Sequence, residues 1–416
     1  MLSNSSWRAV PQGRLGGAAL GVVAAGALLW LGLFLHARGR LNLQNHVAQT
    51  LPVPGSPAGP VAQAADGRLF VVTAEQQLVA LSPAGEFEWN KRLATPVTPV
   101  PILASPELMV LVGPGVLYGF SLGGEERFRV EADAALGDLV AADGAGHLFL
   151  LDTRGSLTIF DETGRRTSRT SLGLRHHRRL IVLPGGQVLG AGTRDDQTHH
   201  LFWAEVSGLI GIRSLLPAAP VGLTLSARPG ELAAVTAGSE LWTLAAQGPP
   251  EQLMRRLTLP GPARSAPLLP AEGGAYVLVQ QGDREALCHL DDQSRVRSCV
   301  PTGEPAGDLT GDLPRQPTLA RNGLVYVQFA ARSRLMPSFH GVLAISPRGV
   351  AYRQALPGPG TVALTVDWSG AIITSVAGER SLFRLDSGLG ATREAYSAWP
   401  QPLGSPAAAS RSWPSR

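Results

Sequence analysis

The side chains best equipped for chemistry in this 416-residue sequence fall in a few short clusters. Asp195, Asp196, His199 and His200 lie within the run from Arg194 to His200. Two carboxylates and two imidazoles at such spacing have the donor chemistry of a divalent-metal site. They are equally the composition of a solvated hairpin loop, and that is the reading adopted. Arg175-His-His-Arg-Arg179 could hold a phosphate or an anionic headgroup, but blocks this short are usually solvated strand edges. Asp308-Leu-Thr-Gly-Asp312 lacks the alternating acids and terminal Glu of a calcium loop. There is no Gly-x-Ser-x-Gly elbow, no phosphate-cradling Gly-x-x-x-x-Gly-Lys and no His-Glu-x-x-His. No catalytic, cofactor-binding or metal-ligating residue is therefore assigned, and a non-enzymatic role is expected.

The two cysteines, Cys288 and Cys299, flank a polar turn centred between Gln293 and Ser294. Pairing two short strands about that centre sets Cys288 opposite Cys299, where β-carbons lie about 5 Å apart, near enough for a bridge. A disulfide would put this part of the chain in an oxidising compartment. Two buried free thiols are the other reading.

The elements that position these residues come in two kinds. Leu15 to Leu35 is free of charge. As a helix it would span roughly 30 Å, the thickness of a bilayer's hydrocarbon core. A cleaved signal peptide is the rival, but its apolar region is usually about 7–15 residues and ends in a small-x-small site, which Leu35-His-Ala-Arg38 does not offer. Residues 15–36 are therefore expected to be an uncleaved transmembrane anchor, after a short tail at 1–14 and before a linker at 37–58. Two arginines lie on each side, so the positive-inside rule is close to a tie. The expected disulfide tips the balance toward a single-pass protein of the inner membrane with its bulk facing the periplasm or exterior.

The net charge of +4 is carried entirely by Arg8, Arg14, Arg38 and Arg40, since the rest of the chain balances. A neutral body is a poor binder of nucleic acid, which is held by phosphate neutralisation.

Beyond residue 58 a pattern repeats: an apolar strand, a Gly-containing turn, a strand ending in an apolar residue, a second turn, then a polar strand. Equivalent third-strand positions are Leu81, Phe120, Phe160, Ala204, Leu244, Leu290, Ile345 and Leu385. Spacings of about 40 to 55 residues with four short strands per unit are those of propeller blades. The fold expected is all-β: a β-propeller of about eight four-stranded blades over 59–399, preceded by the single helix and followed by a disordered tail at 400–416. Seven blades stay open if the weak fourth and fifth repeats merge. Ring closure stays open too: residues 41–58 add a strand to the last blade, or that blade completes itself.

Asp66-Gly-Arg-Leu-Phe-Val-Val-Thr73, followed by Leu78-Val-Ala-Leu-Ser-Pro-Ala-Gly-Glu-Phe-Glu-Trp89, resembles the repeat of the quinoprotein-like (PQQ-like) propellers. The resemblance implies that Trp89 packs between blades, and that Phe128 and Tyr352 replace it in later copies. A tethered eight-bladed layout is also similar to the propeller subunits of the outer-membrane barrel assembly machinery, which are lipoproteins, whereas no Cys lies near this apolar segment. The quinone-dependent enzymes of the family carry adjacent cysteines and long insertions that this chain lacks. The resemblance thus implies the scaffold rather than the enzyme, with no cofactor.

Long insertions are expected at 191–200, 329–341 and 301–316, all on one face by this strand assignment. Arg332, Arg334, Leu335, Met336 and Phe339 combine apolar anchors with guanidinium groups, the chemistry of a protein-binding hot spot. The partners expected are the membrane, through the helix, and a protein of the envelope. The alternatives are an enzyme using a cofactor or metal in the central funnel and a scaffold on the cytosolic side. If the anchor reading is right, the chain recovered from carbonate-washed membranes has the intact mass with its N-terminal segment retained. A soluble product beginning beyond residue 36 would overturn it.

Overall fold

The structure is a computed structural model. It describes residues 47–385 except 132–138, 153, 183–185, 217, 226–230, 237–238, 246–252, 271–272, 294, 304–316, 320–322, 332–338, 358–360, 368–370 and 377. The expected anchor at 15–36 and tail at 400–416 lie outside the described residues. Within them no helix is long and apolar enough to cross a membrane.

Among the described residues the strands form eight up-and-down units, of which the sixth and seventh are joined into one sheet by a parallel bridge from Gly303 to Ala330. Blade one is Ala62–Gln63, Leu69–Val72, Gln77–Leu81 and Phe87–Arg92; blade two is Ile102–Leu103, Leu108–Gly113, Val116–Ser121 and Glu126–Glu131. Blade three is Leu139–Ala142, Leu148–Leu151, Ser156–Phe160 and Arg166–Ser171; blade four is Arg175–Val182, Val188–Thr193, His199–Ala204 and Ile210–Leu216. Blade five is Pro220–Leu225, Glu231–Thr236, Glu240–Ala245 and Leu253–Thr258. Blade six is Ala275–Gln281, Arg284–Leu290 and Val296–Gly303, and its inner edge is made by bridges from Ala263 and Leu268 to the first of these. Blade seven is Thr318–Leu319, Val325–Ala331, Phe339–Ser346 and Gly349–Leu356. Blade eight is Thr361–Val366, Ile372–Val376 and Ser381–Leu385, completed on its outside by Val47–Pro52 from the other end of the chain.

Side-chain alternation explains why these runs make blades. Successive residues of a strand point to opposite faces. A middle strand is covered on both faces, so it reads as a continuous apolar run rather than an alternating one. Leu108–Gly113 is buried at every position, whereas the outer strand Phe87–Arg92 is almost wholly exposed. In blade one, Phe70, Val72, Leu78 and Ala80 face blade two, while Leu69, Val71, Val79 and Leu81 face blade eight. The core is accordingly not one mass. It is a series of apolar layers, one between each pair of neighbouring blades.

The outer strands carry a recurrent β-bulge. In blade one, Ala80 pairs with Trp89 but Leu81 pairs with Phe87, so Glu88 is extra. The shift recurs at the same place before Phe120, Phe160, Leu244, Leu290 and Ile345, and two pairs earlier in blade four. Val47–Pro52 reproduces it opposite Leu385, with Ala48 extra. A bulge adds local twist and re-aims the next residue. In blade one that next residue is Trp89, and it lies over the neighbouring blade. Its ring packs on Gly124, whose φ of +86° belongs to the left-handed region, and its indole N–H donates to the Leu122 carbonyl at 3.3 Å. A side chain at Gly124 would enter that ring. Phe128 stands on Gly164 of blade three in the same way, and Ser168 on Gly208 of blade four. In the closing blade the position is Gln49, whose amide donates to the Ala84 carbonyl at 2.7 Å.

The segment expected as linker at 37–58 is therefore linker only in part, because Val47–Pro52 is a blade strand. Its pairing spans the chain from Val47 to Leu385. Arg384 clasps the junction. Its guanidinium donates to the Gln49 side-chain oxygen and to the Pro83 carbonyl, each at 3.0 Å, and ion-pairs at 3.2 Å with Asp367, whose side chain is 3% exposed. Thr365 donates to the Val61 carbonyl at 3.0 Å and Ser375 to that of Gly59 at 3.3 Å, tying blade eight to blade one. Arg384→Met leaves Asp367 as a buried carboxylate without this cation. It should cost about 3–5 kcal/mol in a denaturant titration, and an unchanged midpoint would show that the clasp is idle.

Candidate functional site

A propeller of this topology offers two faces. One carries the first-to-second and third-to-fourth turns of each blade, the other the second-to-third turns and the connections between blades. On the first face the turns are closed by a side-chain oxygen that accepts the backbone N–H four residues on. Ser82 does so for Glu86, Ser121 for Glu125, Asp161 for Arg165 and Asp291 for Arg295. Asp143, Asp152 and Asp367 close other turns similarly. Such Asx and ST turns hold the chain without asking for a ligand.

These bonds set the electrostatics. The Arg295 backbone N–H, opposed by desolvation and helped by the Arg295 and Arg297 guanidinium groups, brings Asp291 to about 2 from an ordinary 3.8. The Thr163 hydroxyl holds Asp161 below its ordinary value in the same manner. At Asp66, burial pushes upward and is outweighed by the bonds from Arg68. Carboxylates held ionised as turn acceptors are not poised as general acids.

The second face, where Asp152 closes the blade-three turn in the same way, adds another kind of stitch. Its second-to-third turns carry a left-handed residue: Gln76 (φ 58°), Gln197 (φ 64°) and Ser239 (φ 61°), with Gly115, Gly155, Gly282 and Gly378 in other blades. The carbonyls of Gln76, Gly155 and Ser239 accept the N–H of Leu93, Leu172 and Leu259, each just past the outer strand of the same blade. The Gln76 side chain accepts a further bond from the Val97 N–H at 3.1 Å, which offsets the cost of a non-glycine residue there.

The sequence-marked residues are distributed over this frame. Cys288 and Cys299 sit opposite each other on the last two strands of blade six and are joined by a disulfide in the layer facing blade five. Arg332, Arg334, Leu335 and Met336 lie outside the described residues. Phe339 opens the third strand of blade seven, on the second face. Residues 301–316 are strand up to Gly303 and lie outside the described residues from 304. The run 191–200 is not a long insertion: Thr193 and His199 are strand residues paired with each other, and the turn is only 194–198. Its polarity suggests a loop, yet the polar groups satisfy one another. Arg175 ion-pairs with Asp195 at 3.0 Å, and His199 bonds Thr193 at 2.9 Å. The Thr198 hydroxyl donates to Asp196 and so accepts from His200 at 2.8 Å. With its one hydrogen committed to the carboxylate, Thr198 is not a nucleophile activated by His200. Among the described residues no group of three or more His, Cys, Asp or Glu is placed to hold a metal ion.

Residues 20–179 match the family model described as outer membrane protein assembly factor BamB. Among solved structures, BamB from Moraxella catarrhalis is similar with a TM-score of 0.58 and 13% identity, covering 82% of this chain and 99% of that one. A computationally designed protein, Ika8, gives 0.58 and 12%, covering 81% and 99%. The dihydro-heme d1 dehydrogenase NirN in complex with DHE gives 0.55 and 12%, covering 85% and 82%. No curated protein matches the chain. The fold is thus that of a β-propeller, and it is shared by an assembly factor, a designed protein and a dehydrogenase.

A depressed carboxyl pKa in the folded state contributes stability above the unfolded value and loses it as pH falls through the folded one. The stability gap between the protein and its Asp291→Asn variant should therefore be constant above about pH 4 and close toward about pH 2. A gap independent of pH in urea titrations would remove Asp291 as an ionised turn acceptor.

Proposed function

We propose that this chain is a non-enzymatic, membrane-tethered propeller that serves as a protein-interaction scaffold in envelope assembly, with its propeller on the extracytoplasmic side of the inner membrane. The observation that carries the reading is the likeness to BamB along nearly the whole of that protein, together with the family match over residues 20–179. The chemistry is in accord with it. The carboxylates of Asp66, Glu75, Asp161, Asp196 and Asp291 are all held below their ordinary values as acceptors, as structural groups are. The Cys288–Cys299 bond supports an oxidising compartment. The apolar run at 15–35 supports the tether. Rigid blades with variable connections are a frame on which binding loops are displayed, and Arg332, Arg334, Leu335, Met336 and Phe339 remain the residues proposed to meet the partner.

Two measurements test it. In intact cells and lysates, Cys288 and Cys299 should accept a thiol reagent only after reduction; free labelling in lysate without reductant removes the argument for the compartment. A photo-crosslinking residue at Met336 should give one discrete envelope-protein adduct in living cells, while the same residue at Thr163, in the third-to-fourth turn of blade three, should not. Equal adducts from both positions would sink the assignment of these residues to the partner contact.

A further inference from the structure

Among the described residues, the large apolar side chains left in solvent are Phe87, Leu209, Val296 and Val350, at 52%, 56%, 44% and 37% exposure. Single exposed apolar residues are ordinary on a protein surface. Their shared address is not. All four stand at the start of an outer strand, just past the third-to-fourth turn. Phe87, Val296 and Val350 lie opposite Leu81, Leu290 and Ile345, and Leu209 immediately precedes Ile210, which lies opposite Ala204. In the closing blade the same register position is Val47, half-buried opposite Leu385. Blades six, seven, eight and one are consecutive around the ring. Val296, Val350, Val47 and Phe87 therefore form an arc on one rim of the face that carries the third-to-fourth turns.

The middle of that arc is also where the chain enters. Residues 36–46 separate Val47 from the apolar run ending at Leu35, and eleven residues fully extended reach at most about 40 Å. This face is thus the one held nearest to whatever holds that run. We infer that the rim rests on the bilayer, with Phe87, Val296 and Val350 dipping into the headgroup layer on either side of the tether. The inference rests on the tethered reading of the proposed function. Charge does not drive the contact: Arg295, Arg297 and Arg348 flank two of the side chains, whereas Glu86 and Glu88 flank Phe87. Apolar contact at the interface is the term common to all of them, and an uncharged lipid surface suffices for it. Seated this way, the ring turns its second face, with the left-handed turns, away from the membrane.

The test uses the full chain reconstituted in phosphatidylcholine vesicles. Flotation comes first. Single cysteines at Phe87→Cys and Val350→Cys, and at Asp283→Cys on the far face, are then labelled with an environment-sensitive dye, the native cysteines being locked in their bond. Spin-labelled headgroup lipid should quench the dyes at 87 and 350 strongly and leave 283 bright, and a water-borne quencher should give the reverse order. If the chain does not float, the tether falls and this orientation with it. If it floats and all three positions quench alike, the tether stands and the seated rim is wrong. Protection of 87 and 350 from the water-borne quencher without lipid quenching, rising with protein density, would assign the arc to a second copy and overturn the bilayer contact.

Discussion

No blade of this protein has a core of its own. Each middle strand is apolar on both faces, so a blade becomes stable only when a neighbour covers each side. Phe70 and Ala80 require blade two as much as Leu69 and Leu81 require blade eight. Eight mutually dependent layers have one arrangement that leaves none open, and that is a closed ring. The remaining features of the fold serve that closure. Middle strands can be unbroken apolar runs because nothing but another blade touches them. Outer strands can be polar because nothing covers them.

The layers also explain why small residues recur where they do. A bulge after each third strand lets the next outer-strand residue lean over the adjacent blade, and the turn beneath it must yield room. Gly124 under Trp89 and Gly164 under Phe128 supply both the space and the left-handed backbone. Where the leaning residue is Gln49, a hydrogen bond to a turn carbonyl takes the place of ring packing. Apolar docking and polar clasping are alternative solutions of one geometric problem. The ring uses the polar one at the seam, where Arg384 gathers Asp367, Gln49 and Pro83 from both ends of the chain.

Much of this was legible in the sequence. Leu81, Phe120, Phe160, Ala204, Leu244, Leu290, Ile345 and Leu385 all fall in third strands, because a doubly buried strand followed by a Gly or Asp turn leaves an unambiguous apolar mark. The hairpin register of Cys288 and Cys299 could be read from the polar turn between them. The closing strand could be read only as one of two alternatives. Val47-Ala-Gln-Thr-Leu-Pro52 is short and half polar, and the partner that makes it a strand lies at the other end of the chain. The segment around Asp195 and His199 reads as an insertion because composition registers polarity and cannot register that Arg175 and Thr193 satisfy it. The exposed rim residues are illegible for a related reason. One apolar residue per blade has no periodicity within a blade, and the pattern exists only once the blades are aligned.

The seam has a consequence in time as well as in space. Val47–Pro52 is made before every other described strand, and Ser381–Leu385, on which it pairs, is made after all of them. Until then the strand has nothing to hydrogen-bond, and one flank of blade one, with Leu69, Val71, Val79 and Leu81, has no cover. Contacts between such distant parts of a chain are the slowest to form, and exposed apolar edges are most hazardous while they wait. The ring is therefore a fold that cannot be finished blade by blade. Its first strand and its last define one event, and a growing chain carries an unsealed, adhesive flank through the whole of its synthesis.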